Sequence, residues 1–128
     1  MYRTTPLFTD LVIDSRDIIG RIEELRAERD HEEDGAKWMR EHPEEAAELA
    51  LLESFQEEAE GYADDWHHGV TLIRDDDFVR FTRDLLKDHG TIPRDLPWYV
   101  VIDWEATAKH IRADYTAVDL DGVTYWIR

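Results

Sequence analysis

Residues Tyr115 to Arg128 read YTAVDLDGVTYWIR. Two runs rich in β-branched and aromatic side chains, Tyr115 to Leu120 and Val123 to Arg128, flank the pair Asp121-Gly122. That pair suits a type I′ turn, whose two central residues both need positive φ. The stretch therefore predicts an antiparallel hairpin at the end of the sequence. Val70 to Ile73 is short, apolar and β-prone, and supplies a further strand to make a small sheet.

Working back from the hairpin, the pattern turns helical. Asp103 caps a helix of about 104–113, with Trp104, Ala108, Ile111 and Tyr115 in one narrow stripe. Trp98 to Ile102 is read as extended or buried loop, and Thr91 to Pro97, with two prolines, as a connector. Asp75, Asp76 and Asp77 cap a helix of about 76–89 that turns Phe78, Phe81, Thr82, Leu85, Leu86 and His89 inward, closed by Gly90. Pro43, followed by Glu44 and Glu45, opens a helix of about 43–60 that ends at Gly61. Leu51, Leu52, Phe55, Ala59 and Tyr62 share one stripe of it, and Glu53, Glu57, Glu60 and Asp64 the opposite one. Asp14 or Ser15 caps a helix of about 15–31 carrying Ile18, Ile22 and Leu25. Gly20 inside that helix costs about 1 kcal/mol relative to Ala and marks close packing. Residues 1–13, broken at Pro6, read as an extended lead-in. Residues 32–42 read as a variable linker in which Trp38 and Met39 anchor a loop or short turn. The fold class is α+β: about four helices and a small antiparallel sheet ending in a C-terminal β-hairpin, with residues 1–128 as one acidic domain.

The chain has 31 acidic and 15 basic side chains, a formal charge of −16, and no cysteine. Hydrophobic residues make up 42%, enough for a core, so the acidity does not imply disorder. Direct binding to nucleic acid or to anionic membranes is excluded by the lack of a clustered Lys/Arg excess. Without cysteine there are no disulfides, thiolate metal sites or cysteine nucleophiles. Apolar runs fall far short of the roughly 20 residues of a membrane span. MYRTTPLFTD lacks the apolar centre of a signal peptide. These features place the protein in the cytoplasm, that of a host cell.

The excess charge is local. Residues 9–65 hold 20 acids and 6 bases, a net of −14, whereas residues 66–128 hold 11 acids and 8 bases, a net of −3. Between Glu41 and Ile73 there is no Lys or Arg but ten acids, including Glu41, Glu45, Glu48, Glu53, Glu57, Glu60, Asp64 and Asp65. These eight form the candidate partner-binding surface. Segregated charge steers a partner of opposite sign. Duplex DNA carries one negative charge per about 1.7 Å of axis, so proteins that bind it carry Lys/Arg tracks that rows of carboxylates can occupy. A helix of 18 residues is about 27 Å long, and its four exposed-stripe acids underfill that density. Asp17, Glu24 and Glu28 on the first helix, Asp84 and Asp88 on the third, and a homodimer would each lengthen the pattern.

Catalytic signatures are sparse. There is no Gly-rich phosphate loop, no His-Glu-x-x-His and no GxSxG elbow. Of two serines, Ser15 is read as a cap and Ser54 lies on a helix. Asp64, Asp65, His67 and His68, with Asp75, Asp76 or Asp77 nearby, are the residue types of a zinc or manganese site, the basis of an alternative reading as a metal-dependent hydrolase. The calcium-loop echo of Asp119 and Asp121-Gly122 lacks the remaining ligands, and the turn explains it. Trp38, Trp66, Trp98, Trp104 and Trp126 would suit base stacking only with positive charge alongside, and read instead as core and interface residues. No cofactor, metal or catalytic residue is expected, and the protein is not read as an enzyme. A further alternative is a halophile's acidic protein without mimicry, consistent with only three lysines, Lys37, Lys87 and Lys109.

VVIDWEATAKHIRADYTAVDLDGVTYWIR, Val100 to Arg128, resembles the ending of the antirestriction protein ArdA family, in which a helix of the pattern IDYEAFARDL…DY precedes a short strand pair. Ile102, Asp103, Trp104, Glu105, Ala106, Ala108, Asp114 and Tyr115 carry the likeness. Leu11 to Ile19, with Ile22 to Leu25, is similar to small phage and mobile-element proteins that share this ending. The likeness covers about 29 to 60 residues and implies DNA mimicry: an acidic, often dimeric protein that blocks type I restriction–modification enzymes. It implies no catalytic residues. The family's N-terminal portion is not recognisable, so the target stands open between a restriction enzyme, a CRISPR effector and another DNA-binding defence complex.

Overall fold

The computed structural model of the protein describes residues 10–128. The expected lead-in up to residue 9, with its break at Pro6, lies outside the described residues. The C-terminal hairpin forms between β3 (Thr116–Leu120) and β4 (Val123–Ile127), in a register that sets Val118 opposite Tyr125. Asp121 and Gly122 take φ of 52° and 84°, the two positive values that a type I′ turn needs. β2 (Thr71–Arg74) pairs antiparallel with β4, Ile73 facing Trp126. A strand missed in the sequence, β1 (Val12–Asp14), closes the other edge against β2. The sheet is four-stranded, in the order β1-β2-β4-β3.

Among the described residues five helices accompany it: α1 (Ser15–His31), α2 (Gly35–Glu41), α3 (Pro43–Glu60), α4 (Phe78–Asp88) and α5 (Trp104–Arg112). Strand alternation decides which helices go where, because successive side chains leave the sheet on opposite faces. Ile13, Leu72, Val118, Tyr125 and Ile127 point into one cluster with Ile18, Ile22 and Leu25 of α1 and Leu49, Leu52, Phe55 and Ala59 of α3. Their neighbours Ile73 and Trp126 point the other way, into a second cluster with Phe78 and Phe81 of α4 and Ala108 and Ile111 of α5. The α+β fold is thus a sheet with helices on both faces, α1 and α3 on one and α4 and α5 on the other.

Three local expectations change. The segment 32–42 is not a linker: Asp34 caps α2 through the Ala36 amide (3.0 Å), and Trp38 is buried. Its task is geometric. Ser15, at the start of α1, bonds to Trp66 just beyond the end of α3, so α1 and α3 run antiparallel. The chain must therefore reverse between them, and α2 with its flanks is that connection. Gly20 marks no close packing, since a Cβ there would meet nothing within 4 Å. Asp75–Asp77 form a 3-10 turn before α4 and make no side-chain cap bond. Asp75 instead accepts from the Trp126 indole (2.8 Å) and Asp77 from Arg80 (2.7 and 2.9 Å). By contrast, Asp14 and Asp103 cap α1 and α5 through side-chain oxygens, as the sequence predicts.

Ser15 holds the junction of β1 and α1 to the far end of α3. Its buried hydroxyl donates to the Trp66 carbonyl (2.7 Å) and accepts from the Val70 amide (2.8 Å). Gly69, at φ 109°, lies against the Arg16 guanidinium, 2.8 Å from where a Cβ would stand, so only glycine fits there.

Candidate functional site

α3 forms because Pro43 presets the first turn, Glu44 and Glu45 complement the positive end of the helix, and Leu49, Leu52, Phe55 and Ala59 recur on one face. The buried stripe starts at Leu49; Leu51 is only half-buried, and Tyr62, expected on the stripe, is exposed.

The acids opposite this stripe are not one uniform row. Glu48 sits between α1 and α3, where the Arg21 guanidinium grips its two oxygens at 2.7 and 2.9 Å; the two side chains are only 15% and 11% exposed. Arg21 also pairs with Glu24, and its bond to Glu48 holds it charged well above the ordinary arginine range. Glu53 pairs with Arg26 (2.6 Å), Glu41 with Lys37 (3.9 Å), and Glu60 with His67 (3.1 Å). The sequence shows no base between residues 41 and 73, yet α1 delivers Arg21 and Arg26 to this tract through tertiary packing, and Lys37 meets Glu41 within α2 itself. Of the eight candidates, Glu45, Glu57, Asp64 and Asp65 form no side-chain hydrogen bond or ion pair among the described residues, and Glu45 is half-buried. Glu58, exposed and equally unengaged, belongs with them although the stripe pattern passed it over. The result is a patch at the C-terminal end of α3 and in the turn that follows: Glu57, Glu58, Asp64 and Asp65.

The proposed extensions divide by layer. α4 packs on the opposite face of the sheet from α3, so Asp84 and Asp88 do not continue its row; Asp84 pairs with Arg80 (3.5 Å). Two carboxyls elsewhere lie below the usual carboxylate range because a guanidinium bonds them: Asp14 beside Arg16 and Asp76 beside Arg74.

The metal-site residues are not brought together. No group of three or more His, Asp or Glu side chains among the described residues is placed to hold a metal ion. The reason is local: Trp66–His68 form a 3-10 turn anchored by buried Trp66, whose indole donates to Gln56 (3.0 Å). His67 is directed to Glu60, and the three aspartates at 75–77 serve Trp126, Arg74 and Arg80.

A second surface escaped the sequence reading. Trp98 is 91% exposed and Val101 87%, in a loop expected to be extended or buried. Beside it a groove of about 610 Å³ is lined by Ile92, Leu96, Val100 and Trp104 together with Lys87 and Arg94. The signal in the sequence was an apolar run, PWYVVI, that belongs to no periodic element. No helix among the described residues is long and apolar enough to cross a membrane. Comparison with protein-family models, curated proteins and solved structures gives no significant match to this chain.

Proposed function

We propose that the protein is a DNA mimic: an inhibitor that occupies the DNA-binding cleft of a host anti-phage defence enzyme, either a type I restriction–modification enzyme or a CRISPR effector, with its acidic surface. The observation that carries this reading is where the acids lie. Glu57, Glu58 and Glu60 crowd the last turn of α3, and no base shares that turn. The helix macrodipole is negative at that end, so each carboxylate there costs about 0.3–1 kcal/mol rather than adding stability. Carboxylates placed against the dipole, continued by Asp64 and Asp65, fit a surface kept for binding. The Arg21–Glu48 and Arg26–Glu53 pairs support the reading differently, since they fix α3 to α1 and hold the patch in one geometry. The protein acts by occupancy inside the host cell, with no catalytic group. The ArdA-like ending favours a restriction enzyme as the target.

The test is a titration of purified type I restriction–modification complex, and separately of a CRISPR effector, with the protein at low and high salt. DNA binding by one of them should be inhibited at low salt and recover as salt rises. Glu57→Lys with Glu58→Lys should weaken inhibition about tenfold or more, the loss of one to two kcal/mol of charge complementarity, while the unfolding transition stays in place. Inhibition of neither complex, or inhibition indifferent to the charge reversal, overturns the reading.

A further inference from the structure

The turn that carries Asp64 and Asp65 also forms one wall of a cleft of about 540 Å³. The other walls include the rings of Tyr62, Phe81 and Tyr115, and Arg128 lies at its edge. We infer that this cleft is a binding site for an arginine side chain of the basic partner: a guanidinium stacked between the rings and neutralised by Asp64 and Asp65. The inference rests on the acidic-surface reading above and adds to it a specific anchoring contact.

Three observations combine. Two of the aromatic walls are held in place by the core, because fully buried Phe78 meets Tyr115 edge-on at 5.2 Å and Phe81 at 5.8 Å. Their faces are therefore presented by packing and need no ordering when a ligand arrives. Next, the two carboxylates are exposed and engage no cation among the described residues, so the cleft has negative charge beside electron-rich ring faces, the combination that attracts an organic cation. Finally, the chain already places a guanidinium there: the Arg128 side chain lies 5.9 Å from the centre of the Tyr115 ring, and no ion pair of the described residues holds it. Arg128 shows that the ring accepts a planar cation, and it occupies part of the space an incoming arginine would use. Arginine fits better than lysine because its flat, weakly hydrated fork can stack on a ring while its N–H groups reach both carboxylates.

The experiment uses the intact protein and a small probe. N-acetyl-arginine-N-methylamide is titrated while the backbone amide spectrum is followed, with the neutral citrulline analogue as control. Arginine should shift the amides of Tyr62 to Asp65 and Tyr115 saturably, and citrulline should leave them in place. Arg128→Ala should tighten binding about two- to fivefold, the range of one exposed cation–π contact; Asp64→Asn with Asp65→Asn should weaken it by at least as much. All three changed positions are exposed, and the amide spectrum itself reports whether each variant stays folded. Equal shifts with citrulline, shifts confined to other regions, or an affinity unchanged by Arg128→Ala overturn the inference. Because no defence enzyme is involved, this result stands apart from the Glu57/Glu58 reversal: either can fail without the other.

Discussion

The two faces of the sheet are packed by different means. On the α1/α3 face, fifteen buried residues, mostly aliphatic, close over Leu72 and Val118, and arginines of α1 lace the rim to glutamates of α3. On the α4/α5 face Ile73, Phe78 and Ala108 are the only fully buried apolar residues among those described, with half-exposed Phe81, Tyr115 and Trp126 around them. There the Arg112 guanidinium lies 5.6 Å from the Phe78 ring centre and 5.2 Å from that of Trp126. The face with the deep core also carries most of the acids, in the half of the chain with a net of −14. A large apolar core offsets the self-repulsion of crowded carboxylates. The thinner face leaves aromatic edges open to solvent, and it is there that a ligand can reach a ring. Stability and exposed recognition chemistry are divided between the layers.

If that division holds, Phe78 carries its layer almost alone. Phe78→Ala should cost about 3–5 kcal/mol, measured by urea denaturation, and hydrogen exchange should show α4 and α5 losing protection while α1 and α3 keep theirs. Uniform loss across all four helices would mean that the layers open as one unit, and the comparison would fail.

The charged rim of the other face offers the next largest effect. Arg21→Ala strips the partner from Glu48, whose side chain is 15% exposed in the intact pair, which should cost about 2 kcal/mol. Arg26→Ala, at a pair that is 45% and 34% exposed, should cost less than about 1 kcal/mol. Equal losses at the two positions would show that burial does not govern these pairs.

How much of this could be read beforehand depends on the range of the interaction. The hairpin was legible because Asp121-Gly122 dictates its own turn, and α1, α3 and α5 because caps and apolar spacing act within a few residues. β1 was not, since Val12–Asp14 becomes a strand only by pairing with β2, almost sixty residues on. α2 was hidden because its one buried side chain, Trp38, finds its partners only after α1 and α3 lie side by side. The acidic stripe was half-legible. Helical periodicity placed Glu57 and Glu60 on the outer side, but nothing local reveals that Arg21 and Arg26 come to Glu48 and Glu53 from 27 residues away. Charge counted along a sequence is not charge counted on a surface. Leaving Trp98 open required knowing that neither sheet face extends beneath it.

Each layer also contains one correctable defect. In α4 the Thr82 hydroxyl is buried and has no hydrogen-bond partner among the described residues, so Thr82→Val should stabilise the protein by about 1–2 kcal/mol, the desolvation cost that the hydroxyl now carries. A loss of stability would mean that a water reaches it and that the α4/α5 layer is wetter than its packing implies.

The smallest effect belongs to α1. Gly20 is exposed within the helix, at a site with room for a methyl group. Gly20→Ala should therefore add about 0.5–1 kcal/mol by reducing the freedom of the unfolded chain and raising helix propensity. The gain should appear as a higher midpoint of denaturation with an unchanged slope. A loss would mean that the α1 backbone at Gly20 is approached more closely than the open space beside it allows.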